Sequence, residues 1–180
     1  MAGRSPKRAI ILGGAGNLWD DKAAALKLFE PDLVIACNHA GRDERGRVDH
    51  WVTMHPDIRT RWIGERVEAG LPPAGQLWHP RHRGNYPDST QIESWAGSSG
   101  MLCIAVAYEL RCSHIVLCGV PMEKQHGHYD DPRPWHECRQ YHQVWERRRP
   151  RIQSRVRSMS GWTRELLGAP TKEWLNGRTA

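Results

Sequence analysis

The chain has 180 residues, 39% hydrophobic and 26% charged, enough for a single nucleotide-binding-like α/β domain over residues 1–180, and no apolar run approaches membrane-spanning length. A formal net charge of +6 with histidine neutral favours anionic partners: nucleotides, phosphorylated sugars or nucleic acid. Five cysteines without a CxxC pair exclude a disulfide framework and a zinc ribbon, and the basic residues 1–7 precede an apolar run too brief for a signal peptide, so a cytoplasmic location is expected.

Residues 8–13 read as a first buried strand, continuous and apolar through Ala9-Ile10-Ile11-Leu12. A tight turn, Gly13-Gly14-Ala15-Gly16-Asn17, follows it. Asp20 or Asp21 is expected to cap a helix running to about Phe29. A second strand covers residues 33–37 and ends at Asn38-His39-Ala40-Gly41. Residues 42–49 are charged and read as a surface loop. A third strand at 50–54 ends at His55-Pro56-Asp57, and Ile58, Trp62 and Val67 set out an amphipathic helix as far as Gly70. A fourth strand is expected at 76–79, then a long irregular segment over 80–95, of the kind that forms lids and binding loops.

The stretch around which the rest is arranged is Gly97-Ser98-Ser99-Gly100, running straight into an apolar segment with helical spacing up to Leu110. A helix starting near Ser99 or Gly100 would turn its free N–H groups and positive dipole end toward whatever lies before the loop. Strand 115–118, closed by Gly119, completes half of a parallel α/β unit. Residues 119–134 read as a second irregular segment, 135–149 as a helix, 156–159 as a last strand and 163–167 as a closing helix. Alternating strands and helices predict a Rossmann-like open, mostly parallel sheet with helices on both faces. Ligands of such sheets collect outside the carboxyl ends of the strands, where this chain keeps its glycines, short polar residues and several histidines.

These loops, in this order, resemble the Rossmann-like bacterial sialyltransferases of glycosyltransferase family 42 and their phage-associated relatives. The matching pieces are Ile11-Leu12-Gly13, Val34-Ile35-Ala36-Cys37-Asn38, Ser98-Ser99-Gly100-Met101 and Ile115-Val116-Leu117-Cys118-Gly119. The resemblance implies a metal-independent glycosyltransferase with a CMP-sugar-like donor as substrate, no cofactor and no resident metal. It also implies a histidine downstream of the 115–118 strand as acceptor base, for which His126 and His128 are the candidates. The chain departs from the family's usual Asn-Gly-Pro-Ser type loop, having Gly14-Ala15-Gly16-Asn17 there.

Glycosyl transfer needs a stabilised leaving phosphate, a deprotonated acceptor hydroxyl and a dry site. The expected nucleotide-binding residues are Gly13, Gly14, Gly16 and Asn17 after the first strand, Asn38 and His39 after the second, and His55 after the third. Ser98, Ser99 and Gly100 join them at the helix start, with Gly119, Ser158 and Ser160 after the last two strands. Asn38 can hydrogen-bond ribose or phosphate, or merely close a turn. His126-x-His128 with His136 and Asp130 can alternatively form a metal-binding set, or a plain polar loop. Cys37 and Cys118 are expected in the core; a nucleophilic Cys37 would need His39 beside it.

Two other readings stand beside the transferase. One is a nucleic-acid or nucleotide-signal binding module without catalysis, resting on the arginine cluster Arg147-Arg148-Arg149, Arg151, Arg155 and Arg157 and on exposed tryptophans suited to base stacking. The other is a different nucleotide-transfer enzyme, such as a pyrophosphokinase, on the same architecture.

Overall fold

The computed structural model describes residues 7–131 and 133–177. Their frame is a seven-stranded sheet in the order β5-β4-β3-β2-β1-β6-β7, with every neighbouring pair parallel. The strands are β1 (Arg8–Leu12), β2 (Leu33–Cys37), β3 (His50–Val52), β4 (Gln76–Pro80), β5 (Thr90–Ile92), β6 (His114–Cys118) and β7 (Val156–Ser158). The helices are α1 (Leu18–Leu26), α2 (His39–Asp43), α3 (Arg59–Glu68), α4 (Ser99–Glu109), α5 (Arg139–Ile152), α6 (Gly161–Leu167) and α7 (Lys172–Leu175). Among the described residues no helix is long and apolar enough to cross a membrane.

The central strands are apolar on both sides because helices cover both faces. From β1, Ala9 and Ile11 join a core with Met101, Leu102, Trp145 and Leu167, from α4, α5 and α6. Ile10 and Leu12 point the other way, against Leu18, Ala25, Ala40 and Trp62, from α1, α2 and α3. Helix α4 is buried from Gly100 through Ala107, so it is apolar all round, as a helix wedged between sheet and partner helix must be.

The chain leaves β1 in one direction through β2, β3, β4 and β5, then crosses back so that β6 lies on the other side of β1. The order therefore reverses between β1 and β6, and the crevice above their carboxyl ends is where this class of sheet binds ligands. Two turns meet there. Gly13 donates its N–H to Cys118 O at 2.8 Å, and Ala15 donates to Gly119 O at 3.1 Å. Gly119 has φ +66°, a left-handed conformation open to glycine at little cost, and a side chain there would strike Leu18.

Several expected boundaries move. Residues 42–49 are not all loop: α2 takes up the first of them, its Gly41 lying under the Trp51 indole where a methyl group would not fit. The irregular 80–95 segment contains β5, a short edge strand whose half-buried Thr-Gln-Ile lacks any alternation to betray it. Helix α1 starts earlier, after Asn17, and stops at Leu26, while Asp20 and Asp21 occupy its first turn and do not cap it. A 3-10 turn, His136–Cys138, precedes α5, which then runs on through Pro150 to Ile152. Helix α7, capped by Thr171, has no counterpart in the sequence reading.

Candidate functional site

A cavity of about 830 Å³ opens at the switch point. Gly13, Gly14 and Ala15 after β1, Cys37 and Asn38 after β2, His55 after β3, and Gly119 to Met122 after β6 reach it from the sheet. Gly97, Ser98, Ser99 and Gly100 come from the start of α4, and His126, Gly127, His128, His136 and Tyr141 close it from the opposite side. The structure thus brings Gly13, Gly14, Asn38, His55, Ser98, Ser99, Gly100, Gly119, His126 and His128 to one wall system.

Asn38 is the most constrained of these. Its backbone sits at φ 46°, ψ −123°, a region that costs a non-glycine residue of order 1–3 kcal/mol. It is held there by five bonds, one of them from Gly41 N–H to its C=O at 3.0 Å. Its N–H donates to Val52 O at 3.0 Å and its C=O accepts from Trp51 Nε1 at 2.8 Å. Its Oδ1 accepts from Thr53 Oγ1 at 2.9 Å, and its Nδ2 donates to Ser99 Oγ at 3.2 Å. The carboxyl ends of β2 and β3 are thereby tied to the first turn of α4.

No side chain caps α4. The hydroxyl of Ser98, its N-cap residue, accepts instead from Trp145 Nε1 at 3.3 Å. The first-turn N–H groups and the positive end of an 11-residue helix therefore face the cavity, an arrangement that stabilises an anion there.

The far wall is pinned by backbone bonds from the β1 turn: Gly16 N–H to Gly127 O at 2.8 Å and Tyr129 N–H to Gly14 O at 2.9 Å. These bonds lay the His128 ring across Gly14, so closely that a methyl group at residue 14 would collide with it. His128 Nδ1 hydrogen-bonds Asp130 Oδ1. A carboxylate on Nδ1 favours the tautomer with hydrogen on that nitrogen and leaves a lone pair on Nε2. His126 is placed differently, with Nε2 3.5 Å from Glu123 Oε2.

Five of the expected nucleotide contacts lie off the cavity wall. Gly16 spends its N–H on Gly127 O, and Asn17 donates from Nδ2 to Ser160 Oγ at 2.7 Å. Ser160 donates in turn to Asp21 Oδ2 at 2.6 Å, and Ser158 is buried with its hydroxyl 2.8 Å from Thr163 Oγ1. His39 turns away into α2, its ring edge-on to Trp62 and its Nδ1 3.3 Å from Asp130 Oδ2. Burial lowers the His39 pKa and holds the ring neutral. It is therefore no activator of Cys37; burial also pushes the thiol of Cys103, the hydrogen-bond partner of Cys37, well up.

The role of Asp21 was masked by its resemblance to a helix cap. Its buried carboxylate accepts from Gly119 N–H at 2.9 Å as well as from Ser160, so α1 anchors the turn after β6. Burial raises its pKa, against the lowering by both donors. Thr53 orients Asn38 from the loop after β3, a contact with no local signal, whereas Asp130, already visible beside His128 in the sequence, orients that ring from two residues away. The arginine cluster is also not an open stacking platform. Arg151 and Arg148 lie over Trp95, at 4.3 and 5.8 Å from the ring centroid, and Arg155 lies over Tyr108 at 5.1 Å. Trp51, Trp62 and Trp145 are core residues.

No protein-family model and no curated protein sequence matches the chain. Solved structures do. The sialyltransferase CST-II in complex with a trisaccharide acceptor and CMP is 13% identical, with a TM-score of 0.65 over 97% of this chain and 89% of that one. CstII from Campylobacter jejuni with the substrate analogue CMP-3FNeuAc is 12% identical, with a TM-score of 0.63 over 94% and 88% of the two chains. A point variant of CST-II with CMP is 12% identical at a TM-score of 0.67, over 97% and 89%. The seven-stranded parallel sheet with helices on both faces is the fold of the CST-II sialyltransferases.

Proposed function

We propose that the chain is a glycosyltransferase that takes a CMP-sugar donor. The observation that carries the reading is the meeting, in one cavity at the switch point, of the β1 glycine turn, strained Asn38 and the uncapped first turn of α4. Solved structures of the same fold hold CMP and CMP-3FNeuAc. The nucleotide phosphate sits before α4, where its leaving charge is stabilised by the helix N-terminus and Ser99. Asn38 and the glycine turn position the nucleotide without occupying its volume.

Of the two expected bases, we assign the role to His128. His128 has a carboxylate on Nδ1 and reaches the cavity beside Gly14. In the transfer step the acceptor oxygen bonds to the anomeric carbon as the bond from that carbon to the CMP phosphate oxygen breaks. The acceptor proton passes to His128 Nε2, and CMP departs with the electron pair. Attack from the face opposite the phosphate gives inversion. The transfer needs no resident metal in this reading.

The test is donor turnover: CMP release from CMP-sialic acid followed chromatographically, with water or a sialylated oligosaccharide as acceptor. His128→Ala is expected to leave CMP affinity within about 3-fold and to lower turnover at least ~100-fold, the usual share of a general base. Undiminished turnover in that variant would remove His128 from the mechanism. No turnover of any CMP-sugar by the folded wild type would remove the reading.

A further inference from the structure

The same corner of the molecule holds a group of donors in which His128 and Asp130 are joined by His39, which the transfer reaction does not use. We infer that His39, His128 and Asp130 form a binding site for a divalent transition-metal ion of the zinc class at the rim of the cavity. The three come from two segments far apart in sequence, the start of α2 and the segment after β6, and one donor atom from each lies within 4.8 Å of the others. Two imidazoles and one carboxylate are a donor set that zinc accepts, with further positions left for water or ligand.

Four further observations point to an ion. His39 Nδ1 is buried and has no hydrogen-bond partner, an orphaned donor atom aimed into the cluster. Its distance of 3.3 Å from Asp130 Oδ2 equals the span of roughly 3.3 Å that two ligands adopt around a tetrahedral ion bound at about 2.0–2.1 Å. The rings are also fixed in advance. His39 packs edge-on against Trp62 at 4.7 Å and against His128 at 5.1 Å, and His128 rests on Gly14. The local charge also leaves room for a cation: Arg42, 3.5 Å from Asp130, is shared with Asp43 at 2.6 Å and Glu65 at 3.3 Å, and Arg61 pairs with Glu65 at 3.2 Å, so the carboxylates outnumber the guanidiniums three to two. His126 and His136 line the cavity outside the cluster, so the ligand set is not the His126-x-His128 pairing that the sequence presents.

An ion on His128 Nδ1 replaces the hydrogen bond to Asp130 and leaves the proton on Nε2. The imidazole then cannot accept a proton from the cavity side, so the ion switches off the base. That consequence rests on the proposed role of His128; metal binding itself does not.

Protein stripped with EDTA and dialysed is titrated with ZnCl2 by calorimetry, and with CoCl2 by visible absorption. One equivalent of zinc is expected to bind, with a cobalt ligand-field spectrum showing nitrogen and oxygen ligation. Asp130→Asn and His39→Ala are each expected to weaken zinc binding more than about 10-fold, while His136→Ala leaves it unchanged. Circular dichroism checks that each variant is folded, and the near-isosteric Asp130→Asn covers the case in which His39→Ala is not. No binding by the folded wild type, or binding that survives Asp130→Asn unchanged, overturns the site. CMP calorimetry in EDTA is run alongside. Zinc binding without CMP binding leaves the site standing and the transferase reading fallen; CMP binding without zinc binding does the reverse.

Discussion

Asn38 offers the sharpest separation of stability from function. Asn38→Ala removes two partly buried side-chain bonds, to Thr53 Oγ1 and Ser99 Oγ, each worth about 0.5–1.5 kcal/mol. It leaves the backbone at φ 46°. A loss of about 2 kcal/mol lowers Tm by roughly 4–8 °C in a chain of this size. Asn38→Gly loses the same bonds but relaxes a conformation costing about 1–3 kcal/mol. Against that stands the extra freedom of glycine in the unfolded chain, about 0.4–1 kcal/mol. The glycine variant should therefore outlast the alanine variant by about 1 kcal/mol, or roughly 2–4 °C. Both should lose CMP affinity, because the side chain that fixes Ser99 is gone. Paired thermal melts and calorimetry read the two quantities. An alanine variant as stable as the glycine variant would refute the strain. A glycine variant that kept full nucleotide affinity would show that the Asn38 side chain serves the fold and not the ligand.

Further expectations follow from other contacts. Gly14→Ala should push the His128 ring off its seat and separate Nδ1 from Asp130, seen as a changed His128 tautomer signal in nitrogen-15 spectra, with Tm lowered by a few degrees. Asp21→Ala leaves the Gly119 N–H buried without an acceptor and should cost about 1–3 kcal/mol by denaturant unfolding. The pH dependence of Asp21 has a definite sign. Its folded pKa is raised above 3.8 by burial, so its stabilisation is complete below 3.8 and is lost as pH rises through the folded value. Relative to Asp21→Asn, the wild type should therefore lose stability over that window and level off above it; the opposite slope would contradict the burial effect. Arg151→Ala removes a guanidinium from the face of Trp95 and should cost about 0.5–1 kcal/mol while leaving CMP affinity unchanged; loss of nucleotide binding would place this surface in the site.

The parts of the fold that were legible are those where one physical rule dominates. Ile10, Ile11 and Leu12, like Val34 to Ala36 and Val116 to Cys118, are buried on both faces and so form unbroken apolar runs. The glycines after β1 and β6 and the small residues before α4 mark turns, and the parallel order sends all of them to one sheet edge. Strand β5 is hidden because an edge strand of Thr-Gln-Ile, half-buried throughout, needs no pattern. Helix α2 is hidden because Gly41 is there to admit Trp51, against its helix propensity. In the site, Asp21 looks like a capping residue and Asn17 like a nucleotide contact, and instead they form a network with Ser160 that braces Gly119. His39 looks like a neighbour of Asn38 and Cys37, yet α2 carries it round to Asp130. Contacts between loops so distant in sequence have no local signature, and they decide where the His39 ring lies.

The central claim is that the cavity at the switch point is built for a cytidine nucleotide, with its phosphate before α4. Calorimetry of the wild type with CMP, set against UMP, GMP and AMP, addresses it directly. The account expects one CMP per chain, the other nucleotides weaker by at least about 10-fold, and the heat abolished by Ser99→Gln, which fills the first turn of α4. Equal heats for all four nucleotides, no heat for any, or CMP binding that survives Ser99→Gln would contradict it.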